Sequence, residues 1–104
     1  MNEQTPLETV FGESSLLKIL DVLMTHPSMN YSKKELAEAA EVAESTVHRK
    51  WDNLEEINAL KETRKYGKTQ LNQLNQDSEV VKQLFKLDQE LRKKNKDTPE
   101  TVKA

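Results

Sequence analysis

The sequence predicts a mostly α-helical domain with one small β-hairpin. Three observations carry that expectation. Gly occurs only twice and Pro three times in 104 residues, so little interrupts a helix. Apolar residues recur at three- and four-residue spacing along most of the chain. Between residues 60 and 74 alone the period shortens to two, around a single glycine. The length fits one domain.

The elements follow in order. Residues 1–12 read as an arm, frayed over 1–6, with Leu7, Val10 and Phe11 forming one docked turn. Gly12 ends it. Ser14 or Glu13 starts a helix that Pro27 stops near Thr25, because the residue before proline avoids helical angles. Leu16, Leu17, Ile19, Leu20, Val22, Leu23 and Met24 make that helix apolar almost all round, so it needs cover on more than one side. Ser32 and Glu35 then have capping-box spacing, which opens a helix from about Lys33 to Ala40. Leu36, Ala37 and Ala40 form its inner face, and the small residues admit a close helix crossing. After a turn at Glu41–Ala43, a helix over about 44–58 buries Val47, Trp51 and Leu54. Leu60, Glu62 and Arg64 alternate with Lys61, Thr63 and Lys65, and Gly67 supplies the positive φ of a hairpin tip at Tyr66–Lys68. The last helix, 76–94, is capped by Asp77 and carries the stripe Val80, Leu84, Leu87 and Leu91, widened by Val81 and Phe85. Residues 95–104 have no core and read as a disordered tail.

Composition excludes several classes. The chain has no cysteine, hence no disulfide, thiol nucleophile or thiolate metal site. His26 and His48 lie in different elements without metal-ligand spacing, so no metal is expected. Gly12 and Gly67 stand alone and form no phosphate loop, so no cofactor and no enzyme is expected. The acidic N-terminus lacks the start of a signal peptide, and no apolar run could span a bilayer; the expected location is the cytoplasm. The formal charge is -2, but its distribution says more. Residues 1–32 set Lys18 against Glu3, Glu8, Glu13 and Asp21, whereas 61–70 set Lys61, Arg64, Lys65 and Lys68 against Glu62 alone. An anion-binding surface belongs with the second segment.

Two helices joined by a short turn and followed by a hairpin have the order of a helix-turn-helix with a wing. Over "SKKELAEAAEVAESTVHRKWDNLEEINAL" and "KETRKYGKTQLNQLN" the chain resembles the winged helix-turn-helix transcriptional regulators of bacteria and archaea. The likeness covers roughly residues 12–92. It is greatest to small archaeal-type DNA-binding regulators, whose wing is followed by an asparagine and a leucine-rich C-terminal helix, as in "LNQDSEVVKQLFKLDQEL". It implies a winged domain over 13–75, with 76–94 as a dimerisation helix. Three positions depart from the pattern. Glu41 stands where the family usually has glycine, at a left-handed turn. Ala43 stands where a serine usually caps the recognition helix. Trp51 replaces the more usual leucine.

The resemblance implies sequence-specific binding of double-stranded DNA, with 44–58 in the major groove and the wing over 60–74 on backbone or minor groove. Arg49 and His48 are the candidate base readers, with Lys50 and Asn53 beside them; a solvated His48 is the plainer alternative. Ser45 and Thr46 suit a phosphate or base contact, or local bonds at the helix start. Lys33 and Lys34 suit a phosphate at a helix N-terminus. Arg64, Lys65 and Lys68 suit wing contacts. The expected partner besides DNA is a second copy, through Leu17, Val80, Val81, Leu84, Phe85, Leu87 and Leu91, with Met24 beside them. A competing reading is a winged protein-interaction module. Net charge, Glu41 and Glu44 favour it; the basic wing and "STVHR" favour DNA.

Overall fold

The computed structural model describes residues 6–12 and 14–103, and gives the backbone alone for Tyr66 and 95–103. Seven elements follow one another: α1 (Pro6–Phe11), α2 (Ser15–Thr25), α3 (Lys33–Ala40), α4 (Glu44–Glu56), β1 (Leu60–Tyr66), β2 (Thr69–Leu74) and α5 (Glu79–Lys103). Residues 1–5 of the expected arm, and Glu13, lie outside the described residues.

Each helix start has a local chemical cause. Ser14 Oγ accepts the Leu17 N–H at 3.0 Å and opens α2. The capping box at α3 is complete: Ser32 Oγ takes the Glu35 N–H, and Glu35 Oε1 takes the Ser32 N–H. At α5 the cap is Ser78 rather than Asp77. The Ser78 hydroxyl donates to the Ile57 carbonyl at 2.7 Å while accepting from the Val81 N–H at 3.2 Å. Asp77 is engaged otherwise, its N–H bound to Asn75 Oδ1. Asn75 also donates its amide to the Asn58 carbonyl, so one asparagine joins the end of α4 to the start of α5.

The α3–α4 turn bears out the two departures from the family pattern that fall within it. Glu41 is left-handed at φ 60, ψ 44, with the Val42 N–H reaching the Ala37 carbonyl and the Glu41 N–H reaching Glu38, which is a Schellman closure. Ala43 opens α4 with no side-chain cap. Glu41→Gly should therefore raise stability by about 1 kcal/mol, and Ala43→Ser by roughly 1 kcal/mol. The sites are close but use different bonds, so urea denaturation should find the double variant near the sum. Neither change raising the midpoint would contradict this account of the turn.

The core gathers Ile19, Leu20, Leu23, Leu36, Val47, Trp51, Leu54, Leu74 and Val81. Leu36, Ala37 and Ala40 face inward from α3, as their spacing implies. α1 docks against α5 through Leu7, fully buried, while Phe11 is 63% exposed. The expected docked turn is thus a short helix held by one of its three apolar residues. Two residues expected at a partner surface face the chain's own core instead. Met24 is 8% exposed and Val81 fully buried, because the C-terminal helix begins against the three-helix core before it leaves it. α5 also continues to Lys103, past the start expected for a disordered tail.

The hairpin pairs Leu60 with Leu74 and Tyr66 with Thr69 around Gly67–Lys68. Gly67 takes φ 58 at the first central position of the two-residue turn, a positive φ that glycine adopts without steric cost. A bulge at Thr63 breaks the simple alternation expected of the strand. Its hydroxyl donates to Asn30 Oδ1 at 2.6 Å, which ties the wing to the α2–α3 loop. That loop adds a single antiparallel bridge as well: Tyr31 and Asn72 exchange both backbone hydrogen bonds, at 2.7 and 2.8 Å. Tyr31 is buried there, and burial pushes its phenol above the usual range.

Candidate nucleic-acid interface

The exposed face of α4 holds Ser45, His48, Arg49 and Asn53, with Thr46 and Lys50 half-buried at its edges. The helix is oriented by what it buries: Val47, Trp51 and Leu54 lock the opposite face into the core, so the polar residues have no other direction to point. Arg49 Nη2 donates to Thr46 Oγ1 at 3.2 Å, one turn back along the helix. The guanidinium is thereby drawn toward the helix start, with most of its donors still open. His48 Nε2 lies 3.7 Å from Glu44 Oε2, so one acidic group sits directly beside a candidate reader. Asp52, one turn beyond His48, adds a second acid to this face, one that the sequence pattern does not single out.

Beside α4 lies a cleft of about 440 Å³, between the start of α3, the start of α4 and the wing. Lys33, Lys34, His48 and Lys68 line it, together with Glu44, Thr69, Gln70 and Asn72. Four of the candidate cationic or titratable DNA residues, drawn from three elements, thus share one concavity. Arg64 and Lys65 are exposed on β1 and do not line the cleft; they stand further along the wing. Lys33 Nζ sits 4.6 Å from the centroid of the Trp51 ring, within the range of a cation–π contact. Asn72, 3% exposed, accepts from Gln70 Nε2 through its Oδ1 at 2.9 Å, while its Nδ2 finds no partner among the described residues.

Sequence reasoning misses Thr69, Gln70 and Asn72, and also the link between Trp51 and Lys33. Nothing in the period of a short polar strand signals that it will close a cleft. The Trp–Lys contact joins residues 18 positions apart on two helices, and only the crossing of those helices brings them together.

No protein-family model matches the sequence, and no curated protein matches it. Solved structures do. The YusO protein of Bacillus subtilis superposes with a TM-score of 0.63 at 21% identity, over 93% of this chain and 67% of that one. MepR, a transcription regulator of the Staphylococcus aureus multidrug efflux pump MepA, gives 0.61 at 17% identity, over 92% and 67%. Sso10a-2, a DNA-binding protein from Sulfolobus solfataricus, gives 0.57 at 11% identity, over 88% and 94%. At such identities the likeness concerns architecture. The chain has a winged helix-turn-helix fold, mostly helical with a two-stranded hairpin and an additional C-terminal helix. Among the described residues no helix is long and apolar enough to cross a membrane.

Proposed function

We propose that this winged-helix chain is a sequence-specific regulator that binds double-stranded DNA as a homodimer. α4 enters the major groove, and the β1–β2 wing meets backbone or minor groove. The observation that carries this reading is the cleft. Lys33 and Lys34 from α3, His48 from α4 and Lys68 from the wing converge on one side of the exposed helix, although the chain as a whole is acidic. A phosphate held between wing and helix would account for Lys68 lining the same cleft as the start of α3. Arg49 and Asn53 are then the residues positioned for base edges, and Arg64 and Lys65 extend the contact along the strand. The surface of α5 supports the homodimer. Val80 remains 43% exposed, Leu84, Leu87 and Leu91 continue its stripe, and Phe85 and Leu17 are only partly covered. Two copies would double the few base contacts that one small domain can make.

Binding of labelled duplexes from the host genome, read by anisotropy, tests the proposal. With about 6 phosphate contacts per dimer, log K should fall against log salt with a slope of about -5. Failure of every duplex to bind below about 10 micromolar at low salt would leave the chain as a winged protein-interaction module, the role its acidic residues Glu41, Glu44 and Asp52 would suit.

A further inference from the structure

We propose that Trp51 is a positioning residue for DNA binding: its ring holds the Lys33 ammonium at the cleft, where it meets one backbone phosphate across from Lys68. The inference rests on the DNA-binding reading above and gives one specific contact within it. Lysine carries its charge on a flexible four-carbon stem, and fixing that stem costs conformational entropy at the moment of binding. A ring beneath the ammonium removes part of that cost beforehand, because the negative face of the indole attracts the cation. Here the ring is itself immobile. Trp51 is 9% exposed and clasped in the core with Val47 and Leu54, so its face is set by packing. Lys33 is the first residue of α3. The capping box engages the Glu35 N–H and leaves the amides of Lys33 and Lys34 at the open end of the helix. Lys34, His48 and Lys68 line the same cleft, as does Asn72, whose buried Nδ2 has no partner among the described residues. Glu44 is the opposing charge there, and it lies within 3.7 Å of His48. The anion that suits this set is a single phosphodiester, gripped between helix and wing. A leucine at position 51 would fill the core but offer the lysine nothing.

Full-length wild type, Trp51→Phe, Trp51→Leu, Lys33→Gln and the double Trp51→Leu/Lys33→Gln are titrated against one mixed-sequence duplex of about 30 base pairs over a range of salt. Lys33→Gln should lower the magnitude of the salt slope by about 0.9 per bound protomer and weaken binding roughly tenfold at low salt. Trp51→Leu keeps the Lys33 charge but not its ordering, so it should weaken binding several-fold with the slope nearly unchanged. Trp51→Phe, which keeps an aromatic face, should retain most of the wild-type affinity. The double variant should be no worse than Lys33→Gln, since the ring acts only through that lysine. A core defect alone would change stability without changing the affinity of the folded protein. An independent arm uses the DNA-free wild type: the Lys33 ε-methylene protons should be shifted upfield by the indole ring current and return to ordinary positions in Trp51→Leu. Unshifted resonances in the wild type overturn the contact, whatever the chain binds. Wild-type affinity in folded Trp51→Leu, with a reduced slope in Lys33→Gln, overturns positioning by Trp51 but leaves the DNA reading standing. A wild-type slope in Lys33→Gln removes Lys33 from the phosphate contacts. A wild type that binds no duplex overturns the DNA reading and this inference together, even if the ring-current shift is present.

Discussion

Changing Leu87 and Leu91 together to Glu should separate the proposed dimer into single chains and abolish most of its DNA affinity. Both residues lie on α5 beyond Val81, the fully buried residue that anchors this helix to its own domain. They are only partly covered within one chain. In a dimer packed along this stripe, the two substitutions would place four carboxylates in an apolar seam. Each would need a partner or a proton, and an unpaired buried charge is strongly destabilising, by about 3–5 kcal/mol where it has been measured. In a monomer the same positions are only partly covered, so the glutamates cost less there than in a closed seam and keep the helix, for which glutamate is a good former. Asp88 and Arg92, joined at 2.8 Å beside the stripe, already pair within the chain, so the Arg92 charge is partly neutralised before a new carboxylate meets it. Light scattering at tens of micromolar should give two chain masses for the wild type and one for the variant, with helical content nearly unchanged. The salt slope for DNA should fall to about half, since one protomer makes half the phosphate contacts. A wild type that scatters as a single chain would end the dimer proposal, and α5 would then serve its own domain alone.

Arg49→Ala should change which sequence is preferred, with little effect on binding to unrelated DNA. Its guanidinium is exposed on α4 and spends one donor on Thr46. The remaining fork can hold the O6/N7 edge of a guanine, a contact whose loss costs about 1–3 kcal/mol of discrimination. Arg49→Lys should lose nearly as much, because an ammonium is not bidentate. Lys65→Ala and Lys68→Ala should instead weaken all sequences alike, as backbone contacts do. Selection from a random-sequence library reads the difference directly. If the Arg49→Ala protein recovers the wild-type motif unchanged, Arg49 is not a base reader.

The features legible in the amino-acid sequence are mostly local. Ser32 and Glu35 announce the start of α3 because a capping box needs only two side chains and four residues of backbone. Val47, Trp51 and Leu54 announce the buried face of α4 because helical spacing leaves them on one side. Gly67 marks the hairpin tip, since few other residues tolerate its φ. Glu41 is legible as a strained non-glycine only through resemblance to a family that prefers glycine there, and its φ of 60 agrees. The cap of α5 lies one residue beyond the expected position. Ser78 and Asp77 are equally good caps in isolation, and the Ile57 carbonyl, far along the chain, decides between them.

The sequence by itself determined the order of the helices, the hairpin between the fourth and the last of them, which face of each central helix is apolar, and where the positive charge is concentrated. These are properties of residues within a few positions of one another, where sterics, capping and periodicity act without reference to the rest of the chain. Only the tertiary structure decided that Tyr31 bridges Asn72, that Val81 and Met24 belong to the chain's own core, that Lys33 rests on Trp51, and that Lys33, Lys34, His48 and Lys68 share one cleft. Those outcomes depend on how helices cross and on how the bulged hairpin turns against them. They are contacts between distant segments, set by which packing buries the most apolar surface while leaving most buried polar groups a partner.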